Sequence, residues 1–281
     1  MRTLAITILI AITFIWGSTF IVVKDAIQHI PPFLFVSLRF FIASLLLLPF
    51  LPGVEYSSLK KSIFGGLLVG TALFGGYIFQ TMGLIYTTAT KSAFITSLSV
   101  VLVPFVSLIL WRSKPGMREV IALLLALIGL YQLILGPHFH FNGVNKGDVL
   151  TFFCALSFAI HISLTGFYTK SIDLTTFTFS QFLYVGVVSL IFSKLFGEPV
   201  MGLSGNPLLA LLFIGVFATA FAFVGQTWAQ RHLKDVHAAL IFSLEPVFAT
   251  IFAVAFGGET LTFSQILGGS LIILGILISE I

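Results

Sequence analysis

Apolar stretches of roughly 20 residues follow one another along almost the whole chain, near residues 4–23, 33–51, 63–84, 92–111, 119–136, 148–168, 177–196, 207–229, 238–256 and 264–280, separated by short charged or Pro/Gly-containing breaks. Twenty residues of α-helix rise about 30 Å, the thickness of a bilayer's hydrocarbon core. With 58% hydrophobic and 9% charged residues in 281 positions, too little polar surface remains to coat a water-soluble domain. The runs are apolar on every side and about twice as long as the alternating strands of a membrane barrel. The sequence therefore predicts an all-α integral membrane protein with ten transmembrane helices, multi-pass in a cell inner or plasma membrane. The first run continues from Arg2 to Lys24 without a small-residue cleavage site, so it reads as a span and not as a secretory leader.

Basic residues accumulate on the cytoplasmic side of membrane proteins. If the N-terminus is inside, the cytoplasmic segments hold Arg2, Lys60, Lys61, Arg112, Lys114, Arg118, Lys170, Arg231 and Lys234, and the outer ones hold only Lys24, Lys91, Lys146 and Lys194. Both termini are thus expected in the cytoplasm. The excess of 14 Lys+Arg over 10 Asp+Glu is too small and too dispersed for a nucleic-acid groove. The single Cys154 lies in an apolar run and reads as a small buried hydrophobe.

Sliding the chain against itself by 146 positions places Gln80-Thr81 on Gln226-Thr227, Ala72 on Ala218, and Ala93, Ile95, Ser97, Leu98 and Val101 on Ala239, Ile241, Ser243, Leu244 and Val247. A shift of 142 aligns Phe35 and Phe40 with Phe177 and Phe182 and sets Arg39 against Gln181. The unit is five helices, 1–140 and 141–281. An odd number of spans inserts the second copy upside down. In agreement, Arg112, Lys114 and Arg118 follow the fourth span, while no Lys or Arg follows the ninth at the equivalent place. Inverted halves are a signature of secondary transporters, in which two similar units of opposite orientation open a midplane site to either side in turn.

Trp16-Gly17-Ser18, Leu38-Arg39-Phe40, Gln80 with Gly83-Leu84 and Tyr86-Thr87-Thr88-Ala89, Leu244-Glu245-Pro246-Val247 and Gly258-Glu259 occur in that order over the chain. In this arrangement the sequence resembles the EamA-type group of the drug/metabolite transporter superfamily. The resemblance implies a carrier for small metabolites, often an exporter of amino acids or related compounds, with a cavity between the halves lined mainly by helices 1, 3, 4, 6, 8 and 9. The fourth span departs from the ninth: it reads Leu98-Ser99-Val100-Val101 with its proline later, at Pro104, and Trp111-Arg112-Ser113 stands where the ninth has Gly257-Gly258-Glu259. The kinks and end contacts of the two halves are accordingly expected not to be equivalent.

A charge inside the bilayer costs about 2.5–3.5 kcal/mol on insertion scales, so it requires a wet cavity, a partner or neutralisation. Glu245, beside the helix-breaking Pro246, is the candidate coupling site for a proton or another counter-ion. Its alternative is a permanent partner such as Arg39 or Lys91. Arg39 reads as a structural charge at a helix interface. Candidate substrate-binding residues are the repeat-related amides Gln80 and Gln226, the intramembrane His161, the aromatic residues Trp16, Tyr77 and Trp228, and Lys91 as a carboxylate ligand, against snorkelling to the surface. The glycines from Gly65 to Gly83 read as a close-packing ridge or a bending gate. His138 and His140 lack neighbouring Cys or carboxylate clusters, so no metal and no cofactor is expected. No nucleophile–base pair or metal-dependent hydrolase motif marks an enzyme.

The expected partners are a small-molecule substrate, a proton or counter-ion, and lipid, with a monomer or a homodimer both compatible. The reading is a secondary active transporter working by alternating access. Its alternatives are a multidrug or cationic-amine efflux carrier and, from another class, a passive channel or sensory membrane protein.

Overall fold

The computed structural model describes residues 1–51, 56–135, 144–199, 205–257 and 262–280. Gly258-Glu259, His138, His140 and the junction of the two sequence units lie outside the described residues. The helices are α1 (Arg2–Ala26), α2 (Pro32–Leu47), α3 (Tyr56–Tyr86), α4 in two pieces, α4a (Ala89–Ser97) and α4b (Ser99–Trp111), α5 (Met117–Leu130) with a π-helical extension Tyr131–Leu135, α6 (Lys146–Tyr168) and α7 (Leu174–Leu195). There follow α8a (Asn206–Phe213), a π-helical segment Ile214–Phe221 and α8b (Ala222–Gln230), then α9a (Asp235–Phe242), α9b (Glu245–Gly257) and α10 (Phe263–Glu280). Among the described residues, 8 helices are long and apolar enough to cross a membrane, Phe263–Ser279 is a shorter apolar one, and no strand occurs. The chain is an all-α membrane protein.

Several spans start where the sequence supplies a cap. Pro31-Pro32 opens α2, where a missing N–H costs nothing. Its first free amides, Phe33 N and Leu34 N, donate to the Glu198 carboxylate at 3.1 and 2.8 Å. Thr88 caps α4a, Asn145 and Asp148 form a reciprocal capping box on α6, and Asp173 caps α7. These polar groups occupy the loop ends and satisfy the first free amides there, while the helical backbone between them satisfies itself.

The glycine ridge is a packing surface. A methyl on Gly66 would lie 2.6 Å from Ser180 Cβ, one on Gly76 would lie 2.6 Å from the Phe158 ring, and one on Gly83 would lie 2.6 Å from Thr151 Oγ1, so α3 runs in van der Waals contact with α7 and α6. Lipid offers no hydrophobic drive for helix association, and such backbone approach is how spans gain contact energy. Gly129 and Gly268 do the same for α5 against α10.

The fourth and ninth spans both break near mid-span, and at matching places. Leu98 separates α4a from α4b, and Ser243-Leu244 separate α9a from α9b. Leu98 and Leu244 are the pair superposed by the 146-residue shift. The expectation that the two kinks are not equivalent is thereby corrected as to their position. Proline placement misled that expectation, because the break is carried by the preceding turn. Ser97 Oγ and Ser243 Oγ each donate back to a carbonyl of their own helix, Ala93 O and Leu240 O. Leu98 N and Leu244 N bond three residues back, to Ile95 O and Ile241 O. In α4 a serine bonded to its own helix and a tightened last turn bend the span with Pro104 well inside α4b, while in α9 Pro246 follows the break directly.

Polar contacts gather at the two ends of the bundle. At the Lys24 end, Lys24 Nζ donates to Thr87 O at 2.7 Å, and Lys91 Nζ meets Asp148 Oδ2 at 2.6 Å. At the Arg2 end, Lys234 Nζ and His237 Nε2 lie 2.9 and 3.3 Å from Glu119 Oε1. There too, Arg231 donates to the carbonyls of Thr169 and Ile172 beyond the end of α6.

Candidate functional site

The two breaks border a small cavity of about 70 Å³, walled by α1, α2, α3, α4, α6, α8 and α9. It brings together Trp16, Arg39, Tyr77, Gln80, His161, Gln226 and Glu245, residues from six separate spans. On the Arg2 side of the cavity, His161, Ile162, Phe223, Gln226 and Phe242 are none of them more than 6% exposed. Trp16, Thr19, Gln80 and Glu245 keep partial exposure.

Two side chains dominate the electrostatics. Arg39 is 3% exposed; its Nε donates to Thr219 Oγ1 at 3.0 Å and its guanidinium lies 4.3 Å from the centre of the Tyr77 ring. No carboxylate pairs with it among the described residues. Glu245, the first residue of α9b, likewise has neither a hydrogen bond nor an ion pair through its side chain among the described residues. Neither Arg39 nor Lys91 partners it. A buried cation held by a hydroxyl and an aromatic face keeps donors to spare. A carboxylate at a helix N-terminus is favoured by the dipole but has its own acceptor capacity unused.

The supports come from neighbouring elements. His161 Nε2 and Gln181 Oε1 are 3.0 Å apart, so the residue that the repeat sets against Arg39 holds an imidazole. Gln80 Nε2 donates to Thr96 Oγ1 across 3.4 Å, joining α3 to α4a. Gln226 Nε2 donates to Gln230 Oε1 at 2.8 Å, and Gln230 Nε2 donates to Ile162 O at 2.9 Å. The wall is aromatic: the Trp16 ring is centred 5.4 Å from both Phe223 and Phe242, and Tyr77 packs edge-on against Phe158 at 5.4 Å.

Trp16 and Arg39 both anchor on the π segment of α8. Trp16 Nε1 donates to Ala218 O at 2.9 Å, and Thr219 Oγ1, which accepts from Arg39, itself donates to Ile214 O five residues back. Short π-helical stretches inside α-helices are frequent at functional sites. No sequence signal announced this one, and the run 207–229 reads as uniform helix.

Two of the candidate residues lie elsewhere. Lys91 sits at the start of α4a in its ion pair with Asp148, whose other oxygen accepts from Thr87 Oγ1 at 2.9 Å. Trp228 lies over His232, ring centres 4.5 Å apart, and packs on the core. Conversely, Thr96, Ser99, Phe158, Phe223 and Phe242 line the cavity without having been singled out. The spacing of Gln230 four residues after Gln226 was available as a signal, since that interval puts two amides on one helix face.

The EamA-like transporter family matches residues 3–135 and 145–280. An uncharacterised transporter of Archaeoglobus fulgidus is 40% identical over 267 residues, covering 95% of this chain and 82% of that one. The uncharacterised inner membrane transporter YedA of Escherichia coli is 26% identical, covering 90% of this chain and 83% of its own. A solved crystal structure superposes with a TM-score of 0.81 at 20% identity, covering 99% of this chain and 97% of that chain, which shows the shared fold. The chain belongs to the EamA-like transporter family.

Proposed function

We propose that this protein is a secondary active carrier that moves a small amphipathic metabolite, an amino acid or a related compound, through the cavity by alternating access. The observation that carries this reading is the pair of intramembrane charges, Arg39 and Glu245, neither in an ion pair among the described residues, lining one aromatic-walled cavity beside two broken helices. Intramembrane ionisable groups mark substrate and ion pathways, and discontinuous helices at mid-membrane are the usual frame of a carrier's site. In this reading the units 1–140 and 141–281 are inverted repeats and both termini face the cytoplasm, supported by the 146-residue self-match and the distribution of Lys and Arg. Glu245 is the coupling carboxylate, taking up and releasing a proton as the cavity is exposed to either side.

The test is transport in proteoliposomes with an imposed pH gradient, wild type beside Glu245→Gln. Neutralising the carboxylate should abolish concentrative, pH-driven movement while leaving the melting temperature and substrate exchange in place. Full pH-driven transport in the variant would remove Glu245 from coupling.

A further inference from the structure

We propose that Gln226 reads a protonated amine on the substrate through its amide oxygen, and that Gln230 is the positioning residue that fixes this polarity. The inference rests on the carrier reading above and narrows its substrate to compounds bearing an ammonium group.

The argument begins at Ile162 O, a backbone carbonyl that can only accept. Gln230 must therefore present its nitrogen to it, as it does at 2.9 Å. That turns Gln230 Oε1 toward Gln226, which in turn must present its own nitrogen, at 2.8 Å. A flip of either amide would set two acceptors or two donors against each other, so a single arrangement satisfies the relay. What remains is Gln226 Oε1, an acceptor without a donor among the described residues, on a cavity-lining side chain that is 1% exposed. Buried acceptors are otherwise bonded almost without exception, and each one left bare is destabilising until a donor arrives.

The neighbours select the donor. Phe223, one turn earlier on α8b, and Trp16 and Phe242 offer aromatic faces, and the Glu245 carboxylate lines the same cavity. A cation with N–H donors satisfies all of these at once, through charge-assisted hydrogen bonds and cation–π attraction. A carboxylate or a neutral carbonyl brings no donor to Gln226 Oε1, and an anionic group in this cavity has the Arg39 guanidinium to meet instead.

The experiment uses four ligands, 2-phenylethylamine, 2-phenylethanol, L-phenylalanine and 3-phenylpropanoate, titrated against the purified protein in lipid nanodiscs. Wild type should bind each amine at least tenfold more tightly than its partner lacking the amino group. Gln226→Leu should lose about tenfold or more of amine affinity, the scale of a hydrogen bond to a charged group, while binding of the other two compounds holds. Gln230→Leu touches no ligand yet frees the Gln226 amide to rotate, and should bring the members of each pair within a few-fold. That ratio is a readout which mere loss of packing does not move, and it decides the matter if Gln226→Leu fails to fold. Equal affinity for paired compounds in the wild type, no binding of either amine, or wild-type discrimination in Gln230→Leu would each overturn the inference. Tighter binding of the compounds lacking the amino group would do so while leaving the carrier reading intact; no transport of any of the four compounds or of other substrate classes by the wild type in proteoliposomes would end both.

Discussion

Gly17 of α1 packs on the backbone carbonyl of Glu245: a Cβ at position 17 would lie 2.8 Å from that oxygen and 2.8 Å from Phe248 Cβ. The first helix and the start of α9b are therefore in direct backbone contact. Gly17→Ala should cost about 1–3 kcal/mol, the usual range for overpacking, and should reduce transport by displacing α9b. Thermal unfolding and uptake measured on one preparation check both; a silent variant would mean that α1 and α9 do not hold this contact in the working protein.

Lys91 and Asp148 tie α4a to α6 at the Lys24 end, with the lysine side chain 19% and the aspartate 6% exposed. Lys91→Met should lower stability by less than the roughly 3–5 kcal/mol of a fully buried pair, since Thr87 and the Asn145 amide still satisfy Asp148. Substrate affinity should stay unchanged. A large loss of affinity with stability intact would restore Lys91 as a substrate ligand.

Arg39 is held by geometry that lysine cannot reproduce, a side-on Nε donation to Thr219 together with a guanidinium face on Tyr77. Arg39→Lys should therefore behave as a non-conservative change, and Thr219→Val should destabilise by about 1–3 kcal/mol through the unsatisfied donor it leaves. Chemical denaturation in detergent reads both. An Arg39→Lys protein as stable as the wild type would show that charge alone matters there.

At the Arg2 end, Glu119 holds Lys234 and His237 and so fastens α5 to the start of α9a. Glu119→Gln should loosen that closure. With Cys154→Ser as background and a cysteine at Ser97 in the cavity, labelling from the Arg2 side by an impermeant maleimide should speed up several-fold. Unchanged labelling would place the barrier elsewhere.

The fold was legible because the membrane makes it so: each apolar run has to be a helix, and the caps at Pro32, Asn145 and Asp173 lie within a few residues of the expected boundaries. The matching breaks at Leu98 and Ser243-Leu244 were misjudged because proline was weighed and the serine one turn earlier was not. In the cavity, charges and amides stood out against an apolar background, which is why Arg39, Gln80, Gln226 and Glu245 could be named in advance. Phenylalanines could not: with 32 in the chain, nothing in the sequence separates Phe223 and Phe242 from those facing lipid. Lys91 was ambiguous for the opposite reason, since its partner Asp148 is far away in sequence and near only in the fold.

The π segment Ile214–Phe221 gives α8 two phases. Upstream of it the helix keeps one angular register, and downstream, where Phe223, Gln226 and Gln230 stand, it keeps another. Deleting a single residue within the segment would let its wide turn relax to an ordinary α-helix with the later residues facing much as before, whereas the same deletion between Ala222 and Gln226 would swing Gln226 by about 100° around the axis. Gln226 would survive as a letter and vanish as a cavity group. The identity of this wall is thus encoded partly in residue count, and related chains can differ in what they admit through one insertion or deletion.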